Sequence, residues 1–228
     1  MKYFCMSDIH GCLSAFTYSL ELVLPHLDEP DTVLMLMGDY IHGGEDSYGV
    51  LDRIMALQRQ YGSYRVIALM GNHEEMVING FTTIDDYGYE ESAHDRSDDI
   101  YTRWMEHLPL YHTDGNTIFV HAGIDEEAED EWEYGTSDYI FTEKYPAETG
   151  HFYDDIKIVA GHVHTSEISG DPRFNGIYFD GHSHYYIDAD TPSSGFLNIL
   201  LVDTDKKEYF EVTEHGVFPV QAYDELDD

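Results

Sequence analysis

Five short apolar runs of this chain each end in a cluster of glycine with aspartate, asparagine or histidine. KYFCM is followed by SDIHG, TVLMLM by GDYIHGG, YRVIALM by GNHEE, TIFV by HAG and KIVA by GHVHT. Apolar runs of this length, rich in β-branched and aromatic residues, predict buried strands. A carboxylate at the end of a buried strand is costly unless a cation or hydrogen-bond donors compensate it. Because ligands bind at the carboxyl ends of strands in α/β sheets, the pattern favours a fold in which these five ends meet.

Between the early runs lie segments whose apolar residues recur at helical spacing. These segments are SAFTYSLELVLPHL, SYGVLDRIMALQRQY and HEEMVINGF, with DDIYTRWMEHL later. Alternating strands and helices predict an α/β layered fold. The late runs GIYF, FLNILLV and EYFEV lie close together and predict a second sheet rich in antiparallel pairs. We therefore expect two packed sheets with helices outside.

The organisation predicted for the chain is one domain over residues 1–228, a length that can bury a large core. Residues 82–99 and 125–154 are rich in Asp, Glu, Gly and Tyr and lack periodicity, so we expect them to be acidic loops or cap segments.

The charge balance is strongly acidic, with 46 Asp and Glu against 11 Lys and Arg and a net charge of −35. This excludes the basic stripes with which proteins bind phosphate backbones, so nucleic acid is not an expected partner. No apolar stretch approaches the roughly 20 residues of a membrane span, and the first residues lack the pattern of a signal peptide. We expect a soluble, cytoplasmic protein without a membrane partner, in which Cys5 and Cys12 are reduced packing residues.

The residue types at the strand ends are those that bind metal ions. Asp8 and His10 lie two positions apart, so a strand that continued through them would point both side chains to one side. Asp39 carries two oxygens and can bridge two cations. The other strand ends add Asn72, His121, His162 and His164. Mixed oxygen and nitrogen ligands favour Mn, Fe, Zn, Co or Ni over Ca or Mg, and two such ions about 3.5–4 Å apart are typical of phosphoryl-transfer sites.

The ordered set SDIHGC, GDYIHGG, GNHEE, FVHAG and GHVHT resembles the five motifs of the calcineurin-like metallophosphoesterases. Within that superfamily the chain is most similar to bacterial relatives of the PPP-type protein serine/threonine phosphatases and of the symmetrical diadenosine tetraphosphate hydrolases. The likeness includes WMEHLPLY before the fourth motif and YIDADTPSSGFLNILLVD after the fifth. The resemblance implies a four-layered αββα sandwich of two mixed sheets flanked by helices.

The resemblance also implies a role for each strand-end residue. Asp8 and His10 would bind a first metal ion, Asp39 would bridge it to a second, and His164 would return to the first. The second ion would be bound by Asn72, His121 and His162. His73 would protonate the leaving oxygen, for which a protonated imidazole is suited because its pKa lies near working pH.

Two segments depart from the family pattern. The PPP-type second motif reads GDxxDRG, so His42 and Gly43 stand where that pattern has an Asp that orients the proton-donating His and an Arg that clamps phosphate. Our alignment of a later phosphate-binding Arg places Glu143 there, with Lys144 beside it as a poorer substitute because an ammonium cannot make the bidentate contact. His42 and Lys144 are therefore candidate substrate-binding residues. Both changes favour diesters over the phosphomonoester dianion.

Other polar residues near the motifs have competing interpretations. Glu74 and Glu75 are expected to be charges at a helix N-terminus, where they interact favourably with the helix dipole. The stretch GHSH at 181–184 repeats the shape of the fifth motif and could compete for the role of His164, although exposed loop histidines are the alternative.

The sequence thus predicts a metal-dependent phosphoesterase that hydrolyses phosphate esters by attack of a metal-bridging hydroxide, in the manner of a protein serine/threonine phosphatase. Its cofactors would be two divalent transition metal ions, with manganese expected first. Its substrate would be a phosphorylated small molecule, a nucleotide or a phosphoprotein. Two alternatives stay open at this point: a hydrolase of dinucleoside polyphosphates or phosphodiesters, and a metal-binding scaffold with weak catalysis.

The net charge of −35 makes one prediction for an enzyme acting on anions. Long-range repulsion slows the encounter with an anionic substrate, and salt screens that repulsion over about 10 Å at 0.1 M. We expect kcat/KM to rise when an inert salt is increased from about 10 mM to about 150 mM, measured with a chromogenic phosphate ester. A falling kcat/KM would mean that local positive potential governs the encounter instead.

Overall fold

The computed structural model describes residues 1–85 and 98–225. Six strands form the first sheet: β1 (Lys2–Met6), β2 (Thr32–Leu36), β3 (Val66–Ala68), β9 (Leu200–Asp203), β10 (Glu208–Thr213) and β11 (Gly216–Pro219). Their order across the sheet is β11-β10-β9-β1-β2-β3. Strands β1, β2 and β3 run parallel, so their carboxyl ends lie at one edge of the sheet.

Five strands form the second sheet: β4 (Tyr111–Asp114), β5 (Thr117–Val120), β6 (Lys157–Ala160), β7 (Tyr178–Phe179) and β8 (His184–Tyr186). Their order is β4-β5-β6-β8-β7. The central strands β5, β6 and β8 are parallel, whereas β4 and β7 pair antiparallel at the two edges.

Eight α-helices are described: α1 (Leu13–Val23), α2 (Ser47–Tyr61), α3 (Asn72–Ile78), α4 (Asp99–Met105), α5 (Trp132–Gly135), α6 (Asp138–Glu143), α7 (Thr165–Ser169) and α8 (Thr191–Ser194). Short 3-10 helices cover Leu24–His26, Glu126–Glu131 and Tyr223–Glu225. Within the described residues, no helix combines the length and the apolar character needed to cross a bilayer.

Successive side chains of β1 point to opposite faces of the first sheet, and their contacts show which layer lies on each face. Tyr3 and Cys5 pack between the two sheets, in the same cluster as Phe119 of the second sheet. Phe4 and Met6 point the other way, into the cluster formed with helices α1 and α2. A third cluster covers the outer face of the second sheet with side chains from α5 and α6. The layers therefore run helix, sheet, sheet, helix, and the predicted αββα architecture is confirmed.

The two long helices follow from their sequences. Helix α1 buries Phe16, Leu20 and Val23, which lie on one face because their spacing matches the helical period. Helix α2 covers the predicted 47–61 and begins after Asp46, whose carboxylate accepts a hydrogen bond from Gly49 N at 2.7 Å. Both helices start close to the carboxyl edge of the first sheet and bring the turns before them to that edge.

The prediction that all the late strands form a second sheet is wrong. Only Tyr178–Phe179 joins that sheet, whereas β9 pairs antiparallel with β1 in the register Lys2↔Asp203, and β10 pairs with β9. The physical reason is that β1 is buried on both faces and β2 covers only one of its edges. An apolar strand returning from the end of the chain fills the other edge.

Several short elements were absent from the sequence prediction. The strands Tyr111–Asp114, His184–Tyr186 and Gly216–Pro219 are short or carry polar residues, so no apolar run indicates them. The segment 125–154 was expected to be a loop, but it contains α5, α6 and the 3-10 helix Glu126–Glu131, each too short for helical periodicity to show. Of the other predicted cap segment, residues 86–97 lie outside the described part of the chain.

The packing of α1 makes a stability prediction. Leu20 is fully buried against the first sheet, so Leu20→Ala leaves a cavity and should lower the free energy of unfolding by about 2–5 kcal/mol. Thr17→Ala, at an exposed position of the same helix, should change it by less than about 0.5 kcal/mol. Denaturant titration followed by circular dichroism measures both; equal effects of the two variants would contradict the assigned face of α1.

Candidate metal centre

The carboxyl ends of β1, β2, β3, β5 and β6 meet at one place, as the strand-end pattern predicts. Asp8 N donates a hydrogen bond to Gly38 O at 3.2 Å, which joins the first two turns. His121 Nδ1 lies 2.8 Å from Met37 O, which joins the second sheet to the first. His162 N donates to Asp8 Oδ2 at 3.1 Å, which brings in the turn after β6.

Several residues in these turns have left-handed backbone conformations, and φ is 56° at Asp8, 48° at His10, 55° at Asp39, 72° at His42 and 66° at His162. The strand β1 does not continue through Asp8 and His10: it ends at Met6, and a turn brings the two side chains together instead. Left-handed residues other than glycine cost about 1–3 kcal/mol each and persist only where surrounding structure holds them. Such strain is typical of functional sites.

Gly38 is required by this arrangement. Its φ is +92°, and a Cβ added there would lie 2.7 Å from Gly71 Cα and 2.7 Å from His121 Nδ1. Real Cβ atoms do not approach other atoms so closely, so any side chain at Gly38 would push apart the turns after β2, β3 and β5. The glycine thereby allows the three strand ends to converge.

The second predicted ligand set brings the Asn72 amide oxygen close to the ring nitrogens of His121 and His162. His121 Nδ1 faces the carbonyl of Met37 and must carry the proton, so in the neutral ring Nε2 presents a lone pair. That Nε2 lies 3.0 Å from Asn72 Oδ1 and 3.5 Å from Asp39 Oδ1. Asn72 Oδ1 in turn lies 3.2 Å from His162 Nδ1. With its oxygen turned inward the amide faces only acceptors, which suits a divalent cation between them; turned over, its NH2 would donate to Asp39 and to both imidazoles instead.

His10 is oriented by the same device on the other side of Asp39. Its Nδ1 lies 3.2 Å from Ile41 O and therefore donates, which leaves Nε2 unprotonated in the neutral ring. That Nε2 lies 3.7 Å from Asp39 Oδ2 and 4.0 Å from Asp8 Oδ1. A second set of acceptors thus faces the other carboxylate oxygen of Asp39.

Two groups of ligand atoms share Asp39. In each group the candidate atoms all lie within 4.8 Å of one another, one group being His10, Asp39 and His73 and the other Asp39, His121 and His162. This geometry fits the bridging position predicted for Asp39. It also brings His73, predicted as a proton donor, as close to Asp39 as the predicted ligand His10.

Burial and mutual repulsion set the charge states of the carboxylates. Burial raises the pKa of Asp8 to about 7, and the charge of Asp39 adds to the rise. Burial and the charge of Asp8 likewise raise the pKa of Asp188 to about 7. Burial alone would raise the pKa of Asp39 as well, but His121, His73 and His10 lower it below its usual range. Several carboxylates packed together out of water are the setting in which a multivalent cation is favourable.

Two of the histidines, His162 and His73, are held neutral by their surroundings. At His10, by contrast, burial is outweighed by the charges of Asp39 and Asp8, which raise the pKa of the ring. Burial lowers the pKa of His162 to about 4, and neighbouring imidazoles contribute. Burial and the nearby imidazoles also lower the pKa of His73 to about 4, although Asp39 opposes the shift. Neutral imidazole is the form that binds metal ions.

His42 lies behind His73 and contacts it directly. Its Nε2 lies 2.8 Å from Thr83 O and therefore donates, so the neutral ring accepts at Nδ1 from His73 Nδ1, 2.7 Å away. His73 then turns Nε2 toward the centre, 3.9 Å from Asp39 Oδ2. His42 is buried, and this chain of contacts ties the orientation of His73 to the backbone at Thr83.

His164 and Lys144 lie apart from the two groups of ligand atoms. His164 has a 45% exposed side chain, and its Nε2 lies 3.7 Å from Asp188 Oδ2. Lys144 Nζ donates to Ile124 O at 2.6 Å and pairs with Glu126 and with Glu148. The structure therefore brings His164 beside Asp188 and surrounds the Lys144 ammonium with oxygen atoms of the protein.

His184 of the GHSH stretch does not take the role predicted for His164, because its ring is engaged elsewhere. The His184 ring is buried between Asp180, 2.8 Å from Nδ1, and Glu126, 2.9 Å from Nε2. Although burial opposes the charge, these hydrogen bonds raise the pKa of His184 to about 9. His182 of the same stretch is exposed.

Sequence reasoning missed the role of Asp188 and understated that of Glu74. Asp188 comes two residues after β8, so it follows a strand in the same way as the polar residues of the other five strand ends. That position was the signal in the sequence. Glu74 lies in the first turn of α3, as expected, but its carboxylate also accepts from Asp39 N and Tyr40 N, both at 2.8 Å. Glu74 thereby holds the backbone that presents Asp39.

Known proteins with similar sequences are phosphohydrolases. A symmetrical bis(5'-nucleosyl)-tetraphosphatase of Nitrosospira multiformis is 30% identical over 128 residues, which cover 54% of this chain and 44% of that protein. One of Burkholderia pseudomallei strain 668 is 32% identical over 123 residues, covering 51% of this chain and 40% of that protein. The matched part is less than half the length of these relatives.

Solved structures share the fold at low sequence identity. A cold-active protein-tyrosine phosphatase of a psychrophilic Shewanella species superposes with a TM-score of 0.63 at 16% identity over 96% of this chain and 80% of that one. A protein serine/threonine phosphatase of Saccharomyces cerevisiae gives 0.57 at 18% identity over 94% and 81%. The sequence profile described as calcineurin-like phosphoesterase matches residues 1–191. This chain therefore belongs to the calcineurin-like phosphoesterase family.

Proposed function

We propose that this chain hydrolyses phosphoric ester bonds with two divalent metal ions, and that manganese is the ion it uses. The observation that carries the proposal is the pair of ligand groups that share Asp39, each with its candidate atoms within 4.8 Å of one another. In the proposed site Asp8, His10 and His164 would hold one ion, and Asn72, His121 and His162 would hold the other. Asp39 would contribute an oxygen to each.

The chain's own residues supply the groups around such ions. When bound, two divalent ions polarise phosphate oxygens and lower the pKa of water. His73 is the proposed proton donor to the leaving oxygen, because its Nε2 faces the centre while its Nδ1 is engaged by His42. A phosphate bound beside His73 would raise the pKa of its imidazole, since an adjacent negative charge favours the protonated form.

His42 is proposed as a positioning residue rather than a substrate-binding one. Both of its ring nitrogens are used in contacts with Thr83 and His73. Lys144 is likewise proposed to be structural, because its ammonium contacts Ile124 O and two carboxylates.

The substrate class favoured here is the dinucleoside polyphosphates or other phosphodiesters. The names of the bis(5'-nucleosyl)-tetraphosphatase relatives support it, as does the neutralised Lys144. A phosphomonoester, including a phosphoprotein, is the second candidate within the same chemistry. The alternative of another class is a metal-binding scaffold with little turnover.

Metal binding is tested by stripping the protein with chelator and titrating Mn²⁺ while free Mn²⁺ is counted by electron paramagnetic resonance. We expect two bound ions. We expect Asp39→Asn to lower the affinity for both ions, because Asp39 belongs to both ligand groups. Turnover of bis(p-nitrophenyl) phosphate, p-nitrophenyl phosphate and diadenosine tetraphosphate should depend on Mn²⁺. It should fall by about 100-fold or more in Asp39→Asn, since even residues behind the ligands are worth about 10–100-fold.

The matched control is Asp28→Asn, which makes the same change of charge at an exposed position. It should leave ion count and turnover unchanged. Absence of bound ions would refute the metal centre, and two bound ions without turnover of any of the three esters would favour the scaffold.

The role of His42 makes a pH prediction. In His42→Asp a carboxylate faces His73 Nδ1 and raises the pKa of His73, by about 1 unit. A proton donor is active below its pKa, so the fall of kcat at the alkaline side of the pH profile should move to higher pH. His42→Asn has the same shape without the charge and should not move it. Equal profiles for the Asp and Asn variants would contradict the assignment of His73 as donor.

A further inference from the structure

Helix α6 and the residue after it pack directly on the turn that follows β5. Phe141 O accepts a hydrogen bond from Ala122 N at 2.9 Å. The Lys144 side chain lies against Gly123 so closely that an added Cβ there would come 2.5 Å from Lys144 Cδ. Glu143 lies between these two anchors and is half-buried. The backbone of Glu143 is therefore held beside the turn that supplies His121 to the centre.

A second carboxylate is attached to the same place. Thr142, the neighbour of Glu143, donates from Oγ1 to Glu75 Oε2 at 2.8 Å. Glu75 lies three positions after Asn72 in α3, so the two share one side of that helix. Burial raises the pKa of Glu143, and the charges of Glu75 and then Asp39 add to the rise. The contacts of its neighbours with the turn after β5 and with Glu75 place Glu143 beside the metal centre, and the charges of both carboxylates act on it there.

The cations of the described residues do not offset these two acids. The Lys144 ammonium is paired with Glu126 and Glu148. Arg65 donates to the carbonyls of Leu27, Glu29 and Thr32, away from the carboxyl ends of the strands. Across residues 1–85 and 98–225, no lysine or arginine forms a hydrogen bond or ion pair with a candidate ligand, with Glu75 or with Glu143. Arg96 lies outside the described residues.

A phosphate group bound at the centre brings its own charge into this field. A phosphomonoester carries close to two negative charges above pH 7, because its second pKa is about 6. A phosphodiester, or an interior phosphate of a polyphosphate chain, carries one. Repulsion by a fixed carboxylate grows in proportion to that charge, so the monoester is penalised more.

We propose that Glu143, assisted by Glu75, determines substrate specificity by disfavouring dianionic phosphomonoesters relative to singly charged phosphodiester linkages. This inference rests on the proposed function, and it adds to that function the side chain responsible for the choice of substrate. Glu143 acts here through its charge and takes no part in proton transfer or metal binding.

The test uses the Mn²⁺-loaded full chain at pH 8 and compares wild type with Glu143→Gln. Isothermal titration calorimetry measures binding of inorganic phosphate, which is mostly a dianion at this pH, and of dimethyl phosphate, which is a monoanion. We expect the preference for phosphate over dimethyl phosphate to rise by about 10-fold in Glu143→Gln. The ratio of kcat/KM for bis(p-nitrophenyl) phosphate to that for p-nitrophenyl phosphate should fall by a similar factor, mainly through a lower KM for the monoester.

Two further variants make the result decisive. Glu75→Gln keeps an acceptor for Thr142 and should shift both ratios in the same direction by a smaller factor. Glu21→Gln removes one charge from an exposed position of α1 and should shift neither. Unchanged ratios in both Glu143→Gln and Glu75→Gln, with native circular dichroism, would overturn the inference. Failure of the wild type to turn over either ester with ions bound would instead overturn the proposed function, while the binding ratios would still test the role of Glu143.

Discussion

The structure depends on the convergence of hydrogen-bond acceptors around the Asp39 carboxylate. His10 and His121 approach it from opposite sides. The Nδ1–H of His10 donates a hydrogen bond to Ile41 O, and that of His121 donates to Met37 O. In its neutral form each ring therefore presents Nε2 as a lone pair toward an oxygen of Asp39. The orientation of these rings is set by backbone carbonyls after β2, so the turn that carries Asp39 also orients its partners. A divalent cation between them would satisfy these acceptors together.

Holding this arrangement has a cost in stability that the rest of the fold must offset. The turns contain left-handed residues, among them Asp8 and Asp39, and the pKa of the buried Asp8 is raised to about 7 by burial and by Asp39. The compensation is visible in the surroundings, where Glu74 fixes the backbone of Asp39 and Tyr40, and where apolar clusters lie on both faces of the first sheet. Stability is thus given up locally for preorganised ligands, which is common at functional sites.

Electrostatics acts at two distances in this protein. At long range the net charge of −35 opposes the approach of any anion. At short range the pattern is more specific, because Lys144 is neutralised by Glu126 and Glu148, while the neighbours of Glu143 anchor its backbone beside the turn that carries His121. Among the residues described, no lysine or arginine is paired with the candidate ligands, so the metal ions of such a site would supply most of the positive charge that a substrate meets. Affinity and selectivity would come from different parts of the molecule.

The sequence by itself determined which strands carry the site and which candidate ligand residues follow each of them. Apolar runs that end in Gly with Asp, Asn or His are a local signal, and Asp8, His10, Asp39, Asn72, His121 and His162 follow from it directly. Helices long enough to show periodicity, such as Ser47–Tyr61, were predictable for the same reason. Tertiary structure alone decided what depends on contacts distant in the chain: the pairing of β9 with β1, the turn that replaces a strand at Asp8 and His10, the His42–His73 contact, and the burial of His184 between Asp180 and Glu126. These features are set by which partner a group meets after folding, and neither residue type nor local spacing contains that information.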